Sequence, residues 1–418
     1  MFGKKYLFLI LLIPIFFIYQ NCSDLESSSD IGSLENSSVN SSSLSYKEKR
    51  KSLGLIYGPN ATQEVIDKTE SLGGWYYTYS THPNRDEPGR HTNTVRMANR
   101  NDKEFVPMVH TRYFITDETG SSCPLLNRFR RGNEGVCTIS EMVNSLEEMK
   151  SLFSSSNQPK HIMVFNEPWR KGDQFASSTG EHYALTPWQA AASYSLIEVA
   201  AKRANLNVVG PTIGDGDSSV LWFSEFLKRC HDLRNDSEFR CKLSGIRTFS
   251  YHAYQCHSSF FEEELGERKL QYDLINLMKN SDRSWYGGYN WEKYILSRKI
   301  WLTETTCNWD KDVKEAQYNG QYIRTQKKSC QRATGQQKGY GSLPVLIDLP
   351  KDRLERFAWW TTYANPKQDS DVGQINQSSV NRITAARLVD DKNEYTPMGR
   401  AIESLWLGNR LSQVNCSE

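Results

Sequence analysis

Two glutamates stand at the ends of apolar runs in this sequence. Glu167 closes the run HIMVFNEP, and Glu304 closes the run IWLTET. Cleavage of a glycosidic bond needs one carboxylic acid to protonate the leaving oxygen and a second carboxylate to attack the anomeric carbon or activate water. A single glutamate near a strand end is more often a surface or ion-paired residue. The pair, with the amide of Asn166 directly before Glu167, favours the catalytic interpretation.

A later apolar run, SYHAY, carries His252 and Tyr254 on one face. The hydroxyl of Tyr254 could donate to Glu304 and keep that carboxylate ionised. Glu167 would then need a pKa raised by burial or by the neighbouring charge in order to carry a proton. A lone histidine on a strand is more often a hydrogen-bonded core residue than a site residue, so both interpretations of His252 stay open.

Five tryptophans near predicted strand ends could stack on sugar rings or could pack in the core. They are Trp75, Trp169, Trp309, Trp359 and Trp360. We take Trp75, Trp359 and Trp360 as the substrate-binding candidates among them.

The scaffold must bring distant strand ends together, and the chain has a pattern that does so. Eight short apolar runs recur, each followed by turn residues and then by a helical pattern: LGLIYGP, GGWYYTY, EFVPMVH, HIMVFNEP, NVVGPTI, TFSYHAY, IWLTETT and FAWWTTY. The pattern predicts an α/β fold, a (β/α)8 TIM barrel with long βα loops. An open doubly wound sheet is the alternative, but a glycine-rich phosphate fingerprint is missing after the first run.

In such a barrel Glu167 and Glu304 would end the fourth and seventh strands and converge across the mouth. Long segments follow the third, fourth, sixth and seventh predicted strands, at residues 111–138, 169–186, 255–298 and 307–352. These segments would leave from the face on which barrel active sites are built. The alternative is that they are surface insertions with no part in a site.

The first residues indicate export. Residues 1–21 combine two lysines with an apolar stretch, the layout of a secretory signal, and IYQNC is similar to a bacterial lipoprotein cleavage box. We expect Cys22 to be lipidated, which would hold the protein on a membrane surface of the cell envelope. Secretion after ordinary signal cleavage, or an anchor helix, is the alternative. Residues 22–50 are a serine-rich tether, and residues 51–418 are one domain.

Eight of the 9 cysteines remain when Cys22 is set aside, and an even number in an exported chain predicts disulfides. Proximity along the chain or across predicted strands suggests four pairs: Cys123 with Cys137, Cys230 with Cys241, Cys256 with Cys307, and Cys330 with Cys416. Zinc is not indicated, because paired C-x-x-C or His-Cys spacings are missing from the sequence. We predict no metal and no other cofactor.

The charges nearly cancel, 51 Lys+Arg against 49 Asp+Glu, which argues against a nucleic-acid partner. The high aromatic content, with 11 Trp and 21 Tyr, is compatible with ligand stacking as well as with core packing.

Taken in order, several segments resemble the landmarks of the glycosyl hydrolase catalytic core called glycoside hydrolase family 128. They are GGWYYTYS, FVPMVH, VFNEP, VVGPTI with WFSEFLKRC, SYHAYQC, IWLTET, AWWTTYA and YTPMGRAIE, and they span about residues 52–408. The resemblance implies a clan A barrel that cleaves β-1,3-glucan with retention of configuration, most simply as an endo-acting enzyme.

The resemblance also assigns roles. It implies that Glu167 is the acid/base, Asn166 its hydroxyl-binding neighbour and Glu304 the nucleophile. It places His252 and Tyr254 near the nucleophile.

Trp359 or Trp360 matches the family's aromatic platform beneath the reacting sugar. Trp169 and Thr305 depart from the family pattern, which often has an acidic residue and a phenylalanine there. Two alternatives stay open: a clan A glycosidase of another polysaccharide, and a carbohydrate-binding lipoprotein without turnover.

Overall fold

The computed structural model of the protein describes residues 51–57, 61–79, 103–109, 114–116, 122–124, 139–170, 185–237, 239–280, 289–307, 322–363, 387–390 and 392–417. The predicted signal, the tether and Cys22 lie outside these residues, as do Trp309 and Cys137. Within the described part, no helix is both long and apolar enough to span a membrane.

Nine parallel strands form the main sheet. They are β1 Leu53–Tyr57, β2 Trp75–Tyr77, β3 Glu104–Phe105, β4 Met108–Val109, β7 His161–Val164, β8 Asn207–Ile213, β9 Thr248–Ala253, β10 Lys299–Thr305 and β11 Arg356–Tyr363. Their order in the sheet is β3-β2-β1-β11-β10-β9-β8-β7-β4. A separate antiparallel pair consists of β5 Phe114–Thr116 and β6 Ser122–Pro124.

The two edges of this strand order are two halves of one predicted strand. The run EFVPMVH is divided at Pro107, which has no N–H to offer a neighbour. Its first half, β3, pairs with β2, and its second half, β4, pairs with β7. The N–H of Val106 donates to the carbonyl of Tyr76 at 2.9 Å, and the N–H of Met163 donates to the carbonyl of Pro107 at 2.8 Å. The divided strand therefore joins the two sheet edges, and the predicted (β/α)8 barrel is confirmed.

Helices follow most of the strands and cover the barrel. They are α1 Gln63–Thr69, α2 Ile139–Ser151, α3 Pro187–Arg203, α4 Asp217–Asp232, α5 Ser258–Phe261, α6 Lys269–Lys279, α7 Trp291–Leu296, α8 Tyr322–Ala333, α9 Ser342–Asp348 and α10 Pro397–Leu407. At the start of α3 the Thr186 side chain and Gln189 form a capping box, and Pro187 is the first residue of the helix.

The core has two layers because parallel strands bury both faces. Side chains on one face of the strands fill the barrel interior, where Trp75 packs on Trp301 at a ring distance of 5.3 Å. Side chains on the other face pack beneath the helices, and Trp359 belongs to this outer layer. Successive strand residues alternate between the layers, so Trp360 turns back toward the interior group.

Three of the four predicted disulfides are confirmed: Cys230–Cys241, Cys256–Cys307 and Cys330–Cys416. The fourth involves Cys137, outside the described residues, so Cys123–Cys137 stays a prediction. The Cys256–Cys307 bond joins the segments that follow β9 and β10, the strands whose ends carry the predicted site.

Candidate active site

The mouth of the barrel brings Glu167 and Glu304 together on either side of His252. Glu304 lies on β10 opposite His252 on β9, and Glu167 follows β7. The imidazole Nδ1 is 3.1 Å from Oε1 of Glu167, and Nε2 is 3.6 Å from Oε1 of Glu304. The three side chains are almost entirely buried. One imidazole therefore spans two carboxylates from distant parts of the chain.

The backbone that carries Glu167 is strained. Phe165 and Glu167, on either side of Asn166, have positive φ angles of 62° and 42°. Such angles cost free energy in residues other than glycine and occur preferentially at functional sites. Neighbouring strands hold the turn: the N–H of Phe165 donates to the carbonyl of Val109 at 2.7 Å, and Thr212 Oγ1 donates to the carbonyl of Phe165 at 3.0 Å. The conformation turns the chain abruptly at the end of β7.

Three tyrosine hydroxyls converge on Glu304. Tyr79 donates to Oε1 at 2.7 Å. The Tyr77 hydroxyl lies 3.2 Å from the same oxygen and 3.0 Å from the carbonyl of Thr303, so its one proton is shared between the two acceptors. Tyr254 donates to Oε2. A carboxylate with donors on both oxygens is held in one orientation. The ladder between β9 and β10 is also irregular between Leu302 and Glu304, which changes the direction of the side chains at that strand end.

Tyr77 and Tyr79 were missed from the sequence. The signal was present, because alternation along WYYTY puts Trp75, Tyr77 and Tyr79 on one face of β2 and its continuation. Trp75 is deep in the barrel on that face, so the next two residues of the same face approach the mouth.

Burial raises the pKa of Glu304, and the charge of Glu167 acts in the same direction. The positive charge of His252 and the hydrogen bonds from Tyr254 and Tyr79 oppose this rise without cancelling it. Burial and the charge of Glu304 raise the pKa values of Tyr79 and Tyr254 well above their usual value, so both hydroxyls keep their protons and can donate.

The pKa of Glu167 moves the other way. Burial alone would raise it, but the hydrogen bond and charge of His252 outweigh burial, and Arg170 adds to them, so that the pKa falls to about 2. Arg170 Nη1 donates to Oε2 of Glu167 at 3.0 Å. In the unliganded protein the pKa values of the two carboxyl groups therefore shift opposite to the expectation, down for Glu167 and up for Glu304. The main cause of the lowered Glu167 pKa is His252, and Arg170, a cation three residues after Glu167, adds to it.

Burial acts to lower the pKa of His252, but the charge of Glu304 and the hydrogen bond and charge of Glu167 outweigh it, so that the pKa rises. The arrangement thus favours an imidazolium between two carboxyl groups. Glu167 is therefore less protonated than the sequence suggested.

The tryptophan candidates separate by depth. Trp360 is half-buried, and its ring meets that of Tyr254 edge to face at 5.8 Å. Trp75 and Trp359 are fully buried, so the prediction that they contact sugar is wrong. Trp75 fills the barrel interior and donates its indole N–H to the carbonyl of Ser52 at 3.0 Å, and Trp359 packs beneath the helices.

Two predicted residues flank Glu167 along the chain. Asn166 is partly buried and directly precedes the acid. Trp169 is also partly buried, and its ring lies so close to Gly214 that a Cβ there would come within 2.7 Å. Among the described residues, no group of three or more His, Cys, Asp or Glu side chains is arranged to hold a metal ion.

Comparisons with known proteins show the family to which the chain belongs. The search of curated proteins finds no match. Among solved structures, a GH128 (subgroup II) endo-beta-1,3-glucanase from Sorangium cellulosum is 16% identical, with 85% of this chain and 98% of that chain covered and a TM-score of 0.45. The corresponding GH128 (subgroup II) enzyme from Pseudomonas viridiflava is 15% identical, with 86% and 97% covered and a TM-score of 0.48. A GH128 (subgroup VII) oligosaccharide-binding protein from Cryptococcus neoformans is 14% identical, with 82% and 96% covered and a TM-score of 0.35.

The family model described as "Glycosyl hydrolase catalytic core" matches residues 54–379. That range contains Glu167, His252 and Glu304, and it is most of the chain. The protein therefore belongs to the family of the glycosyl hydrolase catalytic core.

Proposed function

We propose that the protein is a retaining glycoside hydrolase that cleaves internal bonds of β-1,3-glucan, with Glu304 as nucleophile and Glu167 as acid/base. The observation that carries the proposal is the pair of buried carboxyl groups spanned by His252, one of them held by three tyrosine hydroxyls. The choice of β-1,3-glucan rests on the resemblance of the ordered motifs. Membership of a glycosyl hydrolase family supports the reaction class.

In the first step an oxygen of Glu304 attacks the anomeric carbon while the bond to the leaving oxygen breaks. Glu167 gives its proton to that oxygen, and a glycosyl ester forms on Glu304. In the second step Glu167 takes a proton from water, whose oxygen displaces Glu304 from the anomeric carbon. The net reaction consumes one water, and both glutamates return to their starting states.

Each neighbour of the pair has a task in this scheme. Tyr77, Tyr79 and Tyr254 hold Glu304 in one orientation and stabilise its charge before attack and after release. His252 screens the two carboxyl groups from each other. Trp360, beside Tyr254, is the proposed aromatic platform for the reacting sugar, and Asn166 is the proposed partner of a sugar hydroxyl.

The test uses the chain from residue 46 onward, incubated with soluble β-1,3-, β-1,4- and β-1,6-linked glucans, and follows released oligosaccharides by chromatography. We expect products from the β-1,3 polymer with the wild type and a loss of at least about 10³-fold with Glu304→Gln. Products that keep the β configuration at early times, seen by proton NMR, support retention; early α products contradict it. Cleavage of another polymer alone would move the substrate assignment to a different polysaccharide.

A second candidate is carbohydrate binding without turnover. The observation that favours it is the hydrogen bond of 3.0 Å from Arg170 Nη1 to Oε2 of Glu167, which together with His252 lowers the pKa of Glu167, because an acid/base must carry a proton to release the leaving group. A pure binder would release no sugar from any polymer, and both the wild type and Glu304→Gln would bind the same glucan.

We also propose that the mature protein is held at a membrane surface of the cell envelope by lipid on Cys22. The support is the signal layout of residues 1–21 and the serine-rich stretch after it. Expression in a bacterial host with a radiolabelled fatty acid tests this. Label in the wild type and none in Cys22→Ser is the expected result, and an unlabelled, secreted wild type would contradict it.

A further inference from the structure

Arg170 lies against the proposed acid/base without a place in the reaction described above. Its Nη1 is 3.0 Å from Oε2 of Glu167, and its side chain is 39% exposed, against 10% for Glu167. The N–H of Arg170 also donates to the backbone carbonyl of Glu167 at 3.1 Å, so a turn keeps the two residues together.

The two oxygens of Glu167 have different neighbours. Oε1 faces Nδ1 of His252, whose side chain is only 1% exposed. Oε2 faces Arg170, the more exposed of the two partners. A glycosidic oxygen arriving from solvent would therefore reach Oε2 more easily than Oε1.

A guanidinium has only donors and does not lose its proton in proteins. A proton on Oε2 of Glu167 would thus point at an N–H instead of at an acceptor. While Arg170 stays in place, Oε2 can accept a hydrogen bond but cannot act as the acid. Something must separate the two groups before the leaving oxygen can take a proton.

We propose that Arg170 is a positioning residue that occupies Oε2 of Glu167 in the unliganded protein and yields that oxygen to the glycosidic oxygen when sugar binds. The inference rests on the proposed function, since it needs a leaving group at Oε2. Glu167 then stays ionised in the empty site, takes up one proton from solvent when Arg170 leaves Oε2, and becomes an acid only in the complex.

Other charged or titratable groups also face Glu167, and the test must keep them constant. His252 and Tyr254 approach from β9, Glu304 from β10 and Tyr79 from the end of β2. Replacing Glu304 by Gln in every sample removes turnover and the coupling between the two carboxyl groups, while leaving His252 and the tyrosines in place.

The measurement is the titration of Glu167 by carbon-13 NMR of side-chain carboxyl-labelled glutamate, with the signal identified by its loss in Glu167→Gln. Samples are Glu304→Gln alone and combined with Arg170→Gln or Arg170→Lys, each free and saturated with a β-1,3-linked glucose hexasaccharide. Arg203→Gln is the matched control, because Arg203 is exposed at the end of α3.

Arg170→Gln should raise the pKa of Glu167 by roughly 1–3 in the free protein, as loss of an adjacent cation does. With Arg170→Lys the pKa of Glu167 should stay nearly as low as with Arg170, and Arg203→Gln should leave this pKa unchanged. In the saturated samples the pKa of Glu167 should be the same with and without Arg170→Gln, because Arg170 has left Oε2. Thermal unfolding of each variant verifies that it is folded.

Two results would overturn the inference: no change of the Glu167 titration in free Arg170→Gln, or an equal change in the free and saturated samples. Failure of the proposed function looks different. If the hexasaccharide does not bind and the wild type cleaves no β-1,3-glucan, the substrate assignment fails and the yielding step with it, whatever the free protein shows.

Discussion

His252 lies between the two proposed catalytic acids, with Nδ1 3.1 Å from Glu167 and Nε2 3.6 Å from Glu304. The carboxylates raise its pKa against the effect of burial. A histidine with a raised pKa contributes its favourable pairing fully below its unfolded pKa and loses it as pH rises through the folded value. The imidazolium therefore holds the two carboxyl groups together at pH values below that folded pKa.

The first prediction concerns this imidazolium. His252→Gln should lower kcat by roughly 10²-fold, comparable to removal of one positioned donor, and should remove the wild type's loss of activity as pH rises through the folded pKa of His252. The pH profile of hydrolysis, recorded beside His257→Gln as the control, measures both effects. An unchanged profile would show that His252 only fills space.

The second prediction concerns the hydroxyls on Glu304. Tyr254→Phe and Tyr79→Phe should each lower kcat by about 10²–10³-fold, with less change in KM, because each removes a donor that holds the nucleophile. Tyr272→Phe is the control, since Tyr272 is 47% exposed on α6. Equal kcat values for all three variants would contradict the role of the tyrosines.

The third prediction separates two disulfides. Cys256–Cys307 joins segments two residues after Tyr254 and three after Glu304, whereas Cys230–Cys241 joins α4 to the loop after it. Serine pairs at either bond should lower the free energy of unfolding by about 2–4 kcal/mol. Only the first pair should also lower kcat, because the ladder between β9 and β10 ends before Tyr254. Equal kcat values for the two double variants at a temperature where both are folded would count against this.

The fourth prediction concerns an ion cluster at the other end of the barrel. Glu104 accepts from His161 Nδ1 and from Arg356 Nη2, both at 2.7 Å. The hydrogen bond from His161 and the charge of Arg356 outweigh burial and lower the pKa of Glu104 to about 2. A lowered carboxyl pKa stabilises the fold above the unfolded pKa, and this is lost as pH falls through the folded value.

Glu104→Gln should therefore lower the free energy of unfolding by up to about 3 kcal/mol at neutral pH. The variant should also lose less stability than the wild type between pH ~4.5 and ~2. Urea unfolding at a series of pH values measures both. Glu148→Gln, on an exposed part of α2, is the control. A variant whose stability falls as steeply with acid as that of the wild type would disprove the linkage.

The fifth prediction uses the two adjacent tryptophans of β11. Trp360→Ala should weaken oligosaccharide binding and lower kcat/KM by an amount equivalent to about 1–3 kcal/mol, taking as a guide the loss when alanine replaces an aromatic side chain that stacks on a nucleic-acid base, while leaving the fold intact. Trp359→Ala should instead reduce the free energy of unfolding by about 3–5 kcal/mol, because it opens a cavity beneath the helices. Thermal unfolding and glucan titration of both variants decide the assignment, and the reverse pattern would exchange their roles.

Local patterns in the chain were sufficient for the architecture. Apolar runs alternating with helical periods predicted the parallel barrel. Three cysteine pairs followed from closeness in sequence or across neighbouring strands. The ends of the runs also marked Glu167 and Glu304, because the strand ends of a barrel meet at one face.

The state of the site depended on contacts that the periodicity does not contain. Only the fold showed that Trp360 contacts Tyr254 while Trp75 and Trp359 are buried. Alternation along a strand places residues on two faces but does not tell which face points toward the barrel mouth. Division of the third strand at Pro107 depended likewise on which neighbours each half met. The ends of the apolar runs identified the two glutamates from the sequence. Their protonation depends on His252 and Arg170, because electrostatic interactions act through space and burial strengthens them.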